Sequence, residues 1–356
     1  MLYSEAGQLS TDYLHGARRF RLRQERLEVL AVLVIAFVAV PAFADDYWLT
    51  AILIPFSILA LAGLGLNLLT GFAGQLSVGS AGFMAVGAYT AYNVLLRLPG
   101  VPLLLAFALG GVAAAIAGVL AGLPSLRIKG FYLVVTTLAA QFFIEWVFTR
   151  FRWFSNDNAS GLVSVPRLVV LGRDASSPLG RYLLTLSVVV ALTALALNIP
   201  KSELGRRWMA VRDMDTAAAV IGIPVLRTKL LAFAISSFYC GVAGALWGFT
   251  YLGTFDPRAW ELSRSFQILF IIIIGGMGSI MGSFLGSAFM LLVPIAMSHA
   301  GSALLGGSVD QGAIENYKKI LFGLLIVAFL IREPGGLARL LRRARDRARI
   351  WPLRSW

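Results

Sequence analysis

The chain has 356 residues, of which 58% are hydrophobic and only 14% are charged. Soluble domains carry about 25% charged residues, and a soluble protein of this composition would expose large apolar patches. A disordered chain is excluded as well, because such chains are poor in apolar residues. The composition therefore predicts a helical membrane protein that crosses the bilayer several times.

Long apolar runs follow one another along the chain, and about 20 apolar residues are needed to cross the hydrocarbon core. The ten runs are Leu27–Phe43, Trp48–Leu69, Leu76–Leu96, Val101–Leu123, Phe131–Thr149, Arg181–Ile199, Leu230–Leu252, Phe266–Met281, Ser283–Ser298 and Tyr317–Ile331. Membrane strands would alternate apolar and polar residues, whereas these runs are continuous. We expect an all-α polytopic fold of about ten membrane-embedded helices. The short, glycine-broken runs Phe266–Met281 and Ser283–Ser298 could include a re-entrant segment.

The basic residues give this fold an orientation. If all ten segments cross from a cytoplasmic N-terminus, the cytoplasmic pieces 1–26, 125–130, 200–229 and 332–356 hold 21 of the 31 basic residues. Lys and Arg accumulate on the cytoplasmic side of membrane proteins, so both termini are predicted to be cytoplasmic. The transmembrane domain then spans 27–331. The basic tail 332–356 is expected to lie against anionic lipid, and no motif supports binding to nucleic acid.

Chemistry-bearing residues are scarce. The net charge is +13, but Cys240 is the one cysteine, and the two histidines, His15 and His299, are far apart. This predicts no disulfide within the chain and no metal site. The sequence also lacks the Gly-x-x-x-x-Gly-Lys-Ser/Thr run that cradles nucleotide phosphates and any nucleophile–base constellation. Catalysis in this chain is not expected.

A glycine-rich, polar stretch at Thr70–Gly82 interrupts the apolar pattern at membrane depth. Irregular backbone is tolerated there only if it is buried in protein or lines a water-filled path. One interpretation is a broken element beside a translocation pathway, with four polar side chains facing it: Asn67, Gln75, Ser77 and Ser80. The alternative is close helix packing through small residues.

Two further features of the apolar runs are informative. Gly278, Gly282 and Gly286 recur every four residues, as do Gly118 and Gly122, which predicts close helix packing. Gly275 and Gly276 predict a kink.

Glu145 is the one acidic residue well inside a predicted span, and because a charge there is costly, we expect it to pair with Arg150 or to lie near the outer interface.

The outer loop 150–180 is one of the long loops. Trp153, Asn156, Asp157 and Asn158 are candidate contacts for a partner that delivers the substrate, and the alternative is an ordinary solvated loop.

The inner loop 200–229 encodes a short helix with sharp ends. Asp213 or Asp215 is a natural N-cap, Thr216–Ile221 is predicted to be helical, Gly222 is a C′ residue, and Pro224 prevents continuation. The small face formed by Ala217, Ala218 and Ala219 would allow close docking into a groove of another protein. The alternative is a surface helix that merely joins two crossings.

Several blocks together carry a family resemblance. Gly205-Arg206-Arg207 followed by Ala217-Ala218 and Gly222-Ile223 resembles the coupling loop of ABC-importer permeases. The block Asn-Leu-Leu-Thr-Gly-Phe-Ala-Gly-Gln-Leu-Ser-Val-Gly at 67–79 is similar to the signature of branched-chain amino-acid (LIV-type) permeases. The blocks at 229–238, 241–246, 274–286 and 321–337 agree with that family in order and spacing, so the resemblance covers about residues 48–340.

The resemblance implies a mechanism and partners. In that family the loop docks into the ATP-hydrolysing subunit, which implies coupling roles for Gly205, Arg206, Arg207, Arg212, Asp213, Asp215, Ala217, Ala218 and Gly222. It further implies a second homologous permease subunit, two cytosolic ATPase subunits that bind ATP and Mg, and a periplasmic solute-binding protein. The chain itself needs no cofactor. It would act by alternating access in the bacterial inner membrane.

Two departures from the family pattern concern the substrate. Members usually show Thr-Gly-Gly followed by Gly-Leu where this chain has Phe154–Leu162, and histidine is common where Ser80 stands. Branched-chain amino acids are the expected cargo, and urea or another small polar solute is the alternative. A rival of another class is an ion-coupled secondary transporter that uses Glu145, and a membrane-embedded enzyme is a more distant one.

Overall fold

The computed structural model describes residues 23–98, 100–125, 132–156, 163–165, 168–170, 173–305, 320, 323–324, 326–327, 331–332 and 335–350. The N-terminal residues 1–22 lie outside these ranges, and so does most of the predicted segment Tyr317–Ile331.

Helices make up nearly all of the described chain. The α-helices are α1 (Arg23–Val34), α2 (Val40–Phe43), α3 (Ile54–Asn67), α4 (Ser80–Arg97), α5 (Leu103–Ser125), α6 (Tyr132–Arg150), α7 (Pro178–Asn198), α8 (Glu203–Asp213), α9 (Asp215–Val220), α10 (Val225–Leu246), α11 (Leu262–Gly275), α12 (Ile280–Leu305) and α13 (Gly336–Ile350). π-Helical turns at Ile35–Ala39, Trp48–Leu53, Leu68–Phe72 and Trp247–Leu252 extend several of them. Short 3-10 helices lie at Arg152–Ser155, Ile199–Lys201 and Pro257–Trp260.

Within the described residues, six helices are long and apolar enough to cross a membrane. They are Trp48–Phe72, Leu103–Leu123, Tyr132–Arg150, Pro178–Lys201, Val225–Leu252 and Ile280–Ser298, and Leu27–Phe43 is a shorter apolar helix. The helical polytopic fold is thus confirmed, whereas ten crossings and the cytoplasmic placement of both termini stay predictions. The predicted run Leu76–Leu96 is helical only from Ser80, and the run predicted at Phe266–Met281 is the shorter helix Leu262–Gly275.

The core of the bundle is formed by α3, α4, α5 and α10, and α10 packs against the other three. Glycines permit the closest approaches: a Cβ on Gly87 would collide with the carbonyl of Gly241, and one on Gly118 would collide with the hydroxyl of Ser237. Gly286 likewise packs against the backbone of Ile271. The packing prediction is confirmed for Gly118, Gly122, Gly282 and Gly286, each of which packs against another helix or its end. It is wrong for Gly278, which lies in the turn before α12 with φ +75°. Gly275 is the last residue of α11, and Gly276 follows it with φ +114°. These two glycines therefore end a helix and do not kink one.

The loops gather at two opposite ends of the bundle. At one end, β1 (Val163–Ser164) pairs antiparallel with β4 (Thr254–Phe255), with Val163 opposite Phe255. A second small pair, β2 (Val169–Val170) with β3 (Arg173–Asp174), lies in the same long loop. At the other end, Arg212 of α8 contacts Gly71, which in turn packs against Gly278 in the turn between α11 and α12. The loops predicted to share a side of the membrane are therefore neighbours in space.

Candidate coupling surface and membrane pathway

The loop 200–229 is anchored to the bundle through α8. Ser202 caps this helix and accepts a hydrogen bond from the Gly205 amide at 3.3 Å. Trp208 is fully buried, and its indole nitrogen donates to the carbonyl of Thr228 at 3.1 Å. A Cβ on Gly205 would collide with the carbonyl of Ile199, so glycine is required there. The helix is thereby held rigidly against the start of α10.

The short helix α9 lies where the sequence predicts it, but neither aspartate caps it. Met214 occupies the N-cap position in an extended conformation, with no side-chain cap. The Asp213 carboxylate pairs with Arg212 at 2.9 Å, and the Asp215 carboxylate accepts a hydrogen bond from Lys229 at 2.5 Å. The cap prediction is wrong because both carboxylates have cationic partners. Asp215 still lies in the first turn, where a negative charge favours the helix.

The end of α9 agrees with the prediction. Gly222 has φ +85°, a left-handed conformation that glycine adopts without strain. The Ile223 amide donates to the Ala218 carbonyl at 3.0 Å, which satisfies a carbonyl at the helix end. Pro224 then precedes α10 directly.

The alanine face of α9 is divided. Ala218 is buried within this chain, so its side chain faces inward, and its coupling role stays a prediction. Ala217 and Ala219 are exposed. The exposed surface around them is instead apolar: Met214 is 62% exposed, Val220 87% and Ile221 72%. Sequence analysis missed these three residues, although large apolar side chains in a polar cytosolic loop are a signal for a docking surface.

A cleft of about 440 Å³ lies beside this surface. It is lined by Glu203, Arg206, Arg207 and Ala210 of α8 and by Ile221, Gly222, Ile223 and Pro224 after α9. Arg207 forms an ion pair with Glu203, and Arg206 donates to the carbonyl of Lys201 at 3.0 Å. The predicted coupling residues Arg206 and Arg207 therefore line one cleft together with Gly222, whereas Gly205 is buried against Ile199.

Arg212 connects this loop to the membrane-embedded part of the chain. Its guanidinium donates to the carbonyl of Gly71 at 2.9 Å. Gly74, with φ +69°, packs against the Arg212 side chain so closely that a Cβ would lie 2.5 Å from the Arg212 Cγ. The end of the π-helical turn Leu68–Phe72 and the loop 200–229 are thus in direct contact.

The stretch that follows is a broken helix, as the sequence predicts. Residues 73–79 are non-helical, and α4 begins at Ser80. Side chains from distant helices satisfy its backbone: Val78 N donates to Thr137 Oγ1 at 3.1 Å and Ala81 N donates to Ser265 Oγ at 2.9 Å. Gly82 N donates to Gln141 Oε1 at 2.5 Å. The break is therefore held in place by α6 and α11.

The four residues predicted to line a pathway, Asn67, Gln75, Ser77 and Ser80, are all buried within this chain. The Asn67 amide is used in packing: Nδ2 donates to the Ser279 carbonyl at 2.8 Å, and Oδ1 accepts from the Gly278 amide at 2.7 Å. Among the described residues, neither polar atom of the Gln75 amide has a hydrogen-bond partner. A pathway role for these four residues stays a prediction.

At the opposite end, Trp153 is 57% exposed and stacks on Arg97, whose Cζ lies 3.4 Å from the ring centroid. Arg97 also donates to the Trp153 carbonyl at 2.9 Å. Asn156 follows with φ +52°. Asp157 and Asn158 lie outside the described residues, so contact with a delivering partner stays a prediction for all four positions.

Glu145 is half-buried near the C-terminal end of α6, the end predicted to face outward. Across the part of the chain that the structure describes, Glu145 forms no ion pair with Arg150, so this half of the expectation is wrong, and a position near the outer interface stays a prediction. The same ranges contain no cluster of His, Cys, Asp or Glu that could hold a metal ion.

Comparisons with known proteins agree with this architecture. A family model described as the permease component of branched-chain amino acid transport systems matches residues 48–330. The chain is 28% identical over 346 residues to LivM of Escherichia coli strain K12, a high-affinity branched-chain amino acid transport system permease protein. That match covers 90% of this chain and 76% of LivM.

Relatives named for other cargoes are also similar. LsrC of Enterobacter sp. strain 638, an autoinducer 2 import system permease protein, is 31% identical over 271 residues, which are 74% of this chain and 75% of LsrC. XylH of Escherichia coli strain K12, a xylose transport system permease protein, is 28% identical over 199 residues, about half of each chain. No solved structure matches the chain.

Proposed function

The chain belongs to the permease family of branched-chain amino acid ABC transport systems, and we propose that it carries branched-chain or related amino acids into the cytoplasm by alternating access. It is a multi-pass protein of the bacterial inner membrane. In the proposed complex it pairs with a second homologous permease, two cytosolic ATPase subunits and a periplasmic solute-binding protein. ATP and Mg bind to the ATPase subunits rather than to this chain.

The contact between Arg212 and Gly71 carries this proposal. The apolar surface of Met214, Val220 and Ile221 would dock on an ATPase subunit, and α8 is held against α10 by Trp208. A displacement of the loop would therefore reach Gly71 through the Arg212 guanidinium. A ligand shifts a conformational equilibrium only through contacts that differ between states, and this contact is a place where ATP binding would act on the pathway.

The proposal is tested by reconstitution. The chain, the second permease and the two ATPase subunits are placed in liposomes with ATP inside, and leucine-loaded binding protein is supplied outside. We expect accumulation of labelled leucine that requires ATP hydrolysis and persists when ion gradients are collapsed. Leucine uptake by this chain alone, sensitive to an uncoupler, would instead support a secondary transporter.

A second candidate cargo is favoured by the similarity to LsrC, which covers three quarters of each chain. Under this alternative the same complex carries a small polar solute such as a sugar or urea. Measuring which solutes the partner binding protein retains separates the two cargoes, because an amino-acid importer requires a binding protein that retains leucine or its analogues.

A further inference from the structure

A cationic and aromatic cluster lies at the outer end of the bundle, away from the coupling loop. Arg264 is the third residue of α11, and its guanidinium carbon lies 4.4 Å from the centroid of the Trp247 ring. Trp247 and Tyr251 lie one turn apart on the π-helical turn Trp247–Leu252, with their ring centroids 4.6 Å apart. Gln267 Oε1 accepts a hydrogen bond from Arg264 Nη1 at 2.6 Å.

This cluster has more hydrogen-bond donors than acceptors. A guanidinium carries five N–H donors, and in the described part of the chain its one hydrogen-bonded acceptor is Gln267. Trp247 is 3% exposed, and its buried indole N–H has no acceptor within the same ranges. A buried donor without a partner is unfavourable by about 1–3 kcal/mol. The remaining N–H groups of the Arg264 guanidinium are not among the buried unpartnered atoms, so they are open to an anionic acceptor next to the unpartnered indole N–H.

In the described structure the Arg264 guanidinium forms no ion pair with the Glu261 carboxylate, the nearest one in sequence. Glu261 lies three residues earlier, at the N-cap position of α11, in an extended conformation. The Arg264 amide bonds to the Glu261 carbonyl at 2.9 Å. Even so, no ion pair joins their side chains in the described structure, in which Arg264 lies over Trp247 instead. Stacking on an aromatic face stabilises a cation while leaving its N–H edge available.

The location also favours a functional role. π-Helical turns are rare and occur frequently at functional sites, and here one of them supplies both aromatic rings. Gly253, directly after that turn, leads into β4, which pairs with the long outer loop at β1. The cluster is therefore at the end of the bundle where a solute would enter from the predicted outer side.

We propose that Arg264 and the indole N–H of Trp247 bind the carboxylate of the amino acid after its release from the binding protein, with Tyr251 packing against the apolar part of the solute. This rests on the proposed function. A carboxylate has two oxygens and can accept from both the guanidinium and the indole.

The first experiment measures uptake in the reconstituted complex. Arg264→Gln removes the charge and Arg264→Lys keeps it without the planar fork, while Arg258→Gln removes an exposed arginine six residues away as the matched control. We expect Arg264→Gln to lower leucine uptake at least about tenfold, since hydrogen bonds to charged groups contribute about 1.5–3 kcal/mol. Arg264→Lys should be intermediate and Arg258→Gln near normal. ATP hydrolysis stimulated by loaded binding protein should be retained.

The second experiment tests the carboxylate itself. Labelled leucine is bound to the purified complex in a maltoside detergent, without binding protein, and competed with leucine or with leucinamide, which lacks the carboxylate. On the wild-type complex leucine should compete at least about tenfold better, and in Arg264→Gln the difference should disappear. Equal competition on the wild type would overturn the proposal.

Three other outcomes of these experiments would also decide the question. If the two permease subunits no longer co-purify in Arg264→Gln, the guanidinium binds an anionic group of the second permease instead of the solute, and the proposal is overturned. Normal uptake by Arg264→Gln also overturns it while leaving the importer function intact. If the wild-type complex accumulates no amino acid under any condition, the proposed function itself is wrong, and the carboxylate site falls with it.

Discussion

Arg212 of the loop 200–229 donates a hydrogen bond to the carbonyl of Gly71, 141 residues earlier in the chain, at 2.9 Å. Gly71 lies at the end of the first long membrane helix, directly before the break at residues 73–79. A cation at the last carbonyls of a helix is favourable because those carbonyls lack partners within the helix. The loop that is proposed to contact the ATPase is thus bonded to the backbone of the candidate pathway.

Arg212→Gln should uncouple ATP hydrolysis from transport. The substitution removes a charged donor from the Gly71 carbonyl, an interaction of about 1.5–3 kcal/mol, while Trp208 continues to hold α8 in place. We expect leucine uptake to fall about tenfold and ATP hydrolysis to change much less, both measured in proteoliposomes. Arg227→Gln removes an exposed arginine of the same loop and is the control. A parallel loss of both activities would indicate failed assembly instead.

Val220→Asp should weaken attachment of the ATPase subunits. Val220 is 87% exposed, so a charge there leaves the fold intact but must be desolvated in an apolar interface. We expect less ATPase to co-purify with the permease pair, measured as subunit stoichiometry. Thr216→Asp adds the same charge to an exposed polar position on the same helix and should have little effect. Equal retention of the ATPase by both variants would place the docking surface elsewhere.

The apolar runs and the glycines could be interpreted from sequence because both act locally. Membrane helices follow from uninterrupted hydrophobicity, and Gly222 follows from the backbone conformation that ends a helix. Helix packing through Gly118 and Gly286 follows from the absence of a side chain. These features depend on neighbours within a few residues along the chain.

The features that could not be predicted depend on contacts that are distant in sequence. The true start of α4 is set by Thr137, Gln141 and Ser265, which come from two other helices. Asp215 does not act as a cap because Lys229, 14 residues later, bonds to its carboxylate. A single sequence contains no signal for such pairings. The exposed apolar residues around α9, Met214, Val220 and Ile221, are an exception, because the composition of the loop alone indicates them.

Ala218→Leu should destabilise the protein, whereas Ala217→Leu should not. Ala218 is 2% exposed, and added methylene groups in a packed core are unfavourable by about 1–3 kcal/mol. Ala217 is exposed on the same helix, where substitutions usually change stability by less than about 0.5 kcal/mol. The melting temperature of each purified variant in detergent measures the difference. Equal melting temperatures would contradict the inward orientation of Ala218.

Asn67→Ala should destabilise the contact between the end of α3 and the turn that precedes α12. The substitution leaves the Gly278 amide and the Ser279 carbonyl without their partner, each at about 1–3 kcal/mol when buried. Asn67→Asp retains an oxygen that accepts from the Gly278 amide. It should destabilise the protein less than Asn67→Ala only if its carboxyl group is protonated and donates to the Ser279 carbonyl. Melting temperature and leucine uptake are measured together. If Asn67→Ala melts normally but transports poorly, Asn67 acts in the pathway rather than in packing.

Glu145→Gln distinguishes ATP-driven import from proton-coupled transport. Glu145 is half-buried near the C-terminal end of α6, and Gln keeps its size while removing the titratable group. In an ATP-driven importer we expect near-normal leucine uptake, unaffected by a protonophore in wild type and variant. Glu28→Gln, which removes a carboxylate from the exposed helix α1, is the control. If only Glu145→Gln abolished uptake, and the wild type required a proton gradient, the secondary-transport mechanism would be correct.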